Sequence, residues 1–281
     1  RKYIDKLLIV DGSNLLFQMF FGMPARIVNG EGKAIQGTLG FAGALLKIIR
    51  KVEPNILAIF DGEHENSRCD IDADYKANRI DYSMVNDTEN PFSQLSDVYK
   101  ALDYVGKTII ETTNCEADDP MASYVLSFCN SANVVICSLD SDYFQLISER
   151  ISVLRYREKT MVCSAQILLK NMAFILISMR ILIFSRRYCG QYKRNRKIGI
   201  KTAASLLRTF GTLENIIRNA GDIDKPSIKN LIIENTDRIR RNYELIHLEK
   251  NQLLQYDKCD LEFTDVSKTK TEVLKGIFVF H

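Results

Sequence analysis

Four short apolar runs, each leading into acid, constrain this chain more than any other feature. Leu7-Leu8-Ile9-Val10 closes on Asp11, and Ile56 to Phe60 closes on Asp61. Lys107 to Ile110 leads into Glu116-Ala117-Asp118-Asp119, and Val134-Val135-Ile136 leads into Asp140-Ser141-Asp142. Apolar runs of this length without polar alternation read as strands buried on both faces, as in a parallel sheet. Helical patterns stand between them, over Gly37 to Arg50, Ser93 to Tyr104 and from Met121 to Phe128, with Pro120 suited to a first helical turn. Such alternation predicts an α/β fold with a mostly parallel sheet flanked by helices. Ile151 to Leu154 and Thr160 to Cys163 add two shorter strands. An Asp-Gly after one strand is commonly a turn, and acids opening a helix suit its dipole. Four acidic strand ends in succession ask for more, because parallel strands bring their C-terminal ends to one edge of the sheet.

The cluster comprises seven carboxylates: Asp11, Asp61, Glu116, Asp118, Asp119, Asp140 and Asp142. No Cys/His set accompanies them, so the donors suit a hard cation, Mg2+ or Mn2+. Two such ions roughly 4 Å apart can activate water and steady the leaving oxygen of a phosphodiester. His64, His247 and His281 do not cluster for general-base work, and no G-x-x-x-x-G-K-[ST] loop is present for nucleoside triphosphate hydrolysis. The seven cysteines are scattered without a C-x-x-C pair, which suits a reducing, cytoplasmic setting. The chain passes from Arg1-Lys2-Tyr3 directly into a strand, so no signal peptide is expected. The longest apolar run, Met172 to Phe184, is broken by Arg180 and too short for a bilayer, so no membrane is expected. At 281 residues, 46% hydrophobic and 26% charged, the chain can bury a full core as one large domain or as a main domain with a smaller one.

Taken together, Asp11-Gly-x-Asn14, Phe60-Asp61-Gly62, Tyr75-Lys76-Ala77-Asn78-Arg79, Glu116-Ala117-Asp118-Asp119 and Asp140-Ser141-Asp142 resemble the bacterial 5′-3′ exonuclease/flap endonuclease family. The likeness is greatest to its stand-alone members and to the 5′-nuclease domain of DNA polymerase I. Further on, Ile198-Gly199-Ile200-Lys201-Thr202-Ala203, with Leu206-Leu207 and Phe210-Gly211, resembles the family's helix-hairpin-helix DNA clamp. Read from the residues alone, Gly-x-Lys-Thr-Ala is equally an ordinary helix start with Thr202 near the cap.

The resemblance implies a PIN-like core over 1–170, with a helical arch at about 62–92, and a C-terminal helix-hairpin-helix and helical region over 198–281. It implies one metal held by Asp11, Asp61, Glu116 and Asp118, with Asp119 and Asp140 close by and Asp142 towards a second. It assigns Arg68, Lys76 and Arg79 to holding or polarising phosphate, and Tyr75 to base stacking. Gly199, Ile200, Lys201 and Thr202 would meet duplex phosphates, and the hairpin would take a potassium ion. The partner implied is DNA with a free 5′ end or a 5′ flap, bound by a monomer.

One departure is pronounced. Family members carry Gly-Asp-x-x-Asp-Asn ahead of the Ile-Gly-x-Lys-Thr-Ala match, and this chain does not. Between Glu158 and Glu214 there is no acid, against eleven Lys and Arg. The likeness breaks off near Ala173 and returns at Ile198, leaving a basic and apolar segment over 171–197 that resembles a compensated frameshift. The expected function is a two-metal 5′-3′ exonuclease or 5′-flap endonuclease, impaired in this chain. The alternatives are a DNA-junction-binding protein with weakened catalysis and a PIN-type ribonuclease. The length favours a stand-alone protein over part of a polymerase.

Overall fold

The structure is a computed structural model, and it describes residues 5–61, 85–107, 109–112, 117–140, 142–157, 161–163, 200–248, 251–263, 269, 271–273 and 275. The chain divides into two compact units. One comprises 1–64, 80–164 and 249–281; the other comprises 65–79 and 165–248.

The first unit is built on a six-stranded sheet in the order β3-β2-β1-β4-β5-β6. β1 (Asp5–Asp11), β2 (Ile56–Asp61), β3 (Ile110–Glu111), β4 (Ala132–Cys137) and β5 (Ile151–Arg155) run parallel, and β6 (Met161–Cys163) is antiparallel to β5. The order reverses direction at β1 and β4, where open α/β sheets leave a crevice at the strand ends. β1 is central because it can be: Leu7, Leu8, Ile9 and Val10 are all 0% exposed. Each such side chain contributes about 2 kcal/mol of burial.

The strands match the expected runs closely, with one exception. β3 was expected over Lys107 to Ile110 and instead starts at Ile110. Lys107 is drawn elsewhere, its Nζ donating to the Glu262 carbonyl at 2.6 Å. β3 therefore pairs only with the last two residues of β2, while the far end of the same edge is taken by Glu262, bridged to Ile56. Phe263 adds a backbone bond to Asn55 and is buried in the core. The described residues 251–263 thus belong with the sheet unit.

Helices α1 (Gly12–Gly22), α2 (Gln36–Val52), α3 (Leu95–Val105) and α4 (Asp118–Phe128) pack on the sheet or on one another. α2 is capped in tertiary fashion: the buried Gln94 side chain accepts the Thr38 N–H at 2.9 Å. Arg50 and Lys51 in its last turn complement its dipole. α3 ends at Gly106, whose φ of 84° suits glycine. The sequence reading placed no helix directly after β1. α1 is apolar nearly all round (Leu15, Leu16, Phe17, Met19, Phe20, Phe21), so it lacks the polar face that marks a surface helix.

In the second unit, α5 (Ile200–Phe210), α6 (Leu213–Arg218), α7 (Pro226–Glu234) and α8 (Thr236–Ile246) enclose a core of Ala203, Leu206, Ile216, Ile228, Ile232 and Ile239. α5 turns into α6 through Gly211, at φ 80°, and Thr212, whose hydroxyl caps Asn215. Among the described residues no helix is long and apolar enough to cross a membrane.

Candidate metal centre

The site grows from the junction of β1 and α1, which has no loop. Asp11 is both the last residue of β1 and the N-cap of α1, and its Oδ1 accepts the Asn14 N–H at 3.0 Å. Gly12 is required there: a Cβ would stand 2.7 Å from the Phe60 carbonyl oxygen. The pairing register places the next component. Val10 lies opposite Cys137, so Ser138 follows at the level of Asp11. Its hydroxyl donates to Asp11 Oδ2 at 2.8 Å and accepts the Asp140 N–H at 3.0 Å. Asn14 Oδ1 accepts the Leu139 N–H at 3.0 Å, tying the start of α1 to the turn after β4.

That turn is held from the other side as well. Asp140 Oδ1 accepts the Asp142 N–H at 3.0 Å and opens a 3-10 turn over Asp142–Leu146. Arg155, ending β5, donates to the Leu139 carbonyl at 2.7 Å and lies 5.5 Å from the Phe144 ring. Asp118 and Asp119 occupy the first turn of α4, and Pro120 is its third residue, where a helix has no use for the missing N–H. Asp118 Oδ1 accepts the hydroxyl of Tyr143 at 2.5 Å. Asp119 is buried, and neighbouring helix positions point about 100° apart, so the two carboxylates face different surroundings.

The charges of Asp118 and Asp140 act on Asp11. It is 7% exposed. Burial above all, then Asp118 and to a lesser degree Asp140, push its carboxyl up to about 8, against the pull of the Asn14 and Ser138 hydrogen bonds. The Tyr143 phenol is raised well above its ordinary value by burial, then by Asp118 and Asp11, and stays a donor. Burial and Asp11 push the Cys137 thiol up to about 12, so it offers no thiolate at neutral pH. Carboxylates that repel one another at a buried place are relieved by a proton or by a cation. A donor set made only of carboxylate oxygens fits Mg2+ or Mn2+.

Of the seven carboxylates expected here, the structure brings Asp11, Asp118 and Asp140 close enough to act on one another near Ser138 and Tyr143, and Asp142 follows Asp140 in the turn after β4. Asp61 closes β2 one residue past Phe60, the partner of Asp11. Its side chain, and the whole of Glu116, lie outside the described residues. Among the described residues no group of three His, Cys, Asp or Glu is placed to hold an ion by itself. Arg68, Tyr75, Lys76, Arg79 and Gly199 also lie outside the described residues. Ile200, Lys201 and Thr202 open α5, with the Thr202 side chain half-buried.

Nothing local in the sequence singles out Ser138 or Tyr143, and Asn14 stands out only as part of a motif. Strand register was the signal for Ser138, since it stands one residue beyond the partner of Val10.

Two family descriptions match the chain. "5′-3′ exonuclease, N-terminal resolvase-like domain" matches residues 6–173, and "5′-3′ exonuclease, C-terminal SAM fold" matches 193–269. Neither match covers 174–192. A thermostable DNA polymerase I of Thermus thermophilus is 26% identical over 98% of this chain, which spans only 31% of that protein's length. A 5′-3′ exonuclease of Buchnera aphidicola is 28% identical over 80% of this chain and 77% of its own length. Among solved structures, the T5 D15 flap endonuclease in a pseudo-enzyme-product complex with DNA and metal ions has a TM-score of 0.66 at 19% identity. That likeness covers 86% of this chain and 88% of the other, and it concerns the fold: a resolvase-like, PIN-type sheet domain followed by a SAM-like helical domain.

Proposed function

Because this chain belongs to the 5′-3′ exonuclease family, we propose that it is a structure-dependent nuclease, hydrolysing phosphodiester bonds in DNA with a free 5′ end or 5′ flap. The observation that carries the reading is the buried Asp11, with Asp118 and Asp140 acting on it, at the reversal point of a parallel sheet. Asp11, Asp61, Glu116 and Asp118 would hold one divalent ion, with Asp119 and Asp140 close by and Asp142 towards a second. Mg2+ or Mn2+ would supply Lewis-acid chemistry there, activating water and stabilising the leaving oxygen.

The chain's own residues do the rest. Ser138 and Asn14 fix the Asp11 carboxylate through both of its oxygens, so it cannot rotate away from the edge. Arg68, Lys76 and Arg79 would hold the scissile phosphate, with Tyr75 stacking on a base. Gly199 to Thr202 would grip duplex phosphates without reading sequence, with a potassium ion at the hairpin. We assign the protein to the cytoplasm as a monomer.

A weakened version of this activity has its own support. The stretch 159–213 holds eleven Lys and Arg and no acid, which favours phosphate binding and leaves the second metal poorly supplied with ligands. Expected is retention of a branched DNA in a gel-shift assay, with weak cleavage of a 5′-flap substrate that EDTA abolishes. Rapid Mg2+-dependent cleavage would remove the weakened reading and leave the nuclease. Cleavage of a matched RNA flap but not the DNA flap would replace it with a ribonuclease.

A further inference from the structure

We propose that Tyr143 is a positioning residue of this centre, its hydroxyl holding Asp118 ready to receive a divalent cation. The inference rests on the nuclease reading above but concerns a side chain to which that reading gives no part. Tyr143 is 1% exposed, so its ring has one place to be. Its hydroxyl carries a single hydrogen and has two acceptors within reach, Asp118 Oδ1 at 2.5 Å and Met121 Sδ at 3.1 Å. A carboxylate accepts far more strongly than a thioether, so the hydrogen goes to Asp118. A carboxylate offers about four lone-pair sites, so this bond does not displace an ion.

The local architecture makes the contact more than incidental. Asp142 and Tyr143 are consecutive residues at the start of one 3-10 turn. The Asp142 N–H holds Asp140 Oδ1, and the Tyr143 O–H holds Asp118 Oδ1, so one turn orients carboxylates from two different elements. A swing of Asp118 about its side-chain bonds would leave the buried phenol only the weak Met121 thioether as acceptor. Partners of this kind, which touch a ligand rather than the ion, are typically worth about 10–100-fold in metal affinity.

The test is the binding of Mn2+ to the DNA-free protein, by calorimetry. Tyr143→Phe is expected to weaken that affinity about tenfold, and to raise the Mn2+ concentration for half-maximal flap cleavage by the same factor. KM for the flap at saturating metal should stay unchanged. Met121→Leu, which removes only the sulfur, should leave the affinity as it was. Equal affinities for wild type and Tyr143→Phe overturn the inference, as does an equal loss in Met121→Leu, which would point to packing. A wild type that neither binds Mn2+ nor cleaves sinks the nuclease reading together with this one; binding without a Tyr143 effect sinks this one alone. Should Tyr143→Phe fail to fold, 3-fluorotyrosine at position 143 keeps the hydroxyl. Its fluorine resonance is expected to move with the midpoint of a parallel calorimetric Mg2+ titration, and to stay still in Asp118→Asn. A resonance indifferent to Mg2+ overturns the inference.

Discussion

Charge is handled in opposite ways in the two units. In the helical unit, Arg240 and Glu214 meet at 2.7 Å with both side chains about half exposed, 48% and 52%. Each shifts the other in the favourable direction: the Arg240 hydrogen bond draws the Glu214 carboxyl down and the Glu214 bond raises Arg240. At the sheet edge, Asp11 is buried and faces like charges, and its carboxyl rises instead of falling. An exposed pair is easily formed and contributes little. A carboxylate pushed up by burial and then by like charges costs stability, and such a cost persists where something else binds the site. The difference separates a solvated surface from a place prepared for a cation.

The sharpest way to break this contrast is Asp11→Asn. Flap cleavage should fall by about 10³ or more, while the metal-free protein gains about 2 kcal/mol at pH 7 because a buried carboxyl that must take up a proton to fold is gone. Cleavage assays beside chemical denaturation without metal check both. A variant that loses activity and stability together would mean that Asp11 is an ordinary structural cap.

The second test uses pH. The Asp11 carboxyl is raised in the folded state from 3.8 to about 8. Its contribution to stability is therefore fully present below about pH 4 and is lost as pH rises through about 8. A divalent ion must displace that proton. Mg2+ affinity should climb about tenfold per pH unit from 6 to 8 and then level off. Thermal unfolding with and without Mg2+ would show it as a metal-induced rise in Tm that grows with pH, and Asp11→Asn should lack that rise. The smallest effect is expected at the other pole: Arg240→Ala should leave Tm unchanged within the error of a melting curve, at low and at high salt alike. A clear loss would show that the exposed pair is held more firmly than its surroundings imply.

The sheet was legible because its strands are largely buried on both faces and their composition shows it: Leu7 to Val10 and Ile56 to Phe60 throughout, and Val134 and Ile136 on either side of a half-buried Val135. α1 was not, since it carries no polar stripe. The β3 boundary was hidden because it depends on where Lys107 goes, and its partner is 155 residues away along the chain. The burial of Leu261, Phe263 and Val273 likewise follows no local period. In the site, Asp11, Asp118 and Asp140 were readable as acids at strand and helix ends. Ser138 and Tyr143 gain their meaning only from register and from the packing of a 3-10 turn against α4.

The segment after residue 248 has a further consequence. Ser123 accepts the Gln252 N–H at 3.0 Å, and the Tyr124 hydroxyl accepts those of Gln255 and Tyr256 at 3.0 and 2.8 Å. α4 thus carries a candidate ligand at its start and, one turn on, the anchor for chain made much later. On the ribosome, residues 165–248 must all be synthesised in between, a delay of roughly 4–17 s at common elongation rates of about 5–20 residues per second. Through that interval the nascent sheet stands with the outer edge of β2 half uncovered. An unpaired strand edge is a site of misassociation, so the segment after 248 also serves to close one.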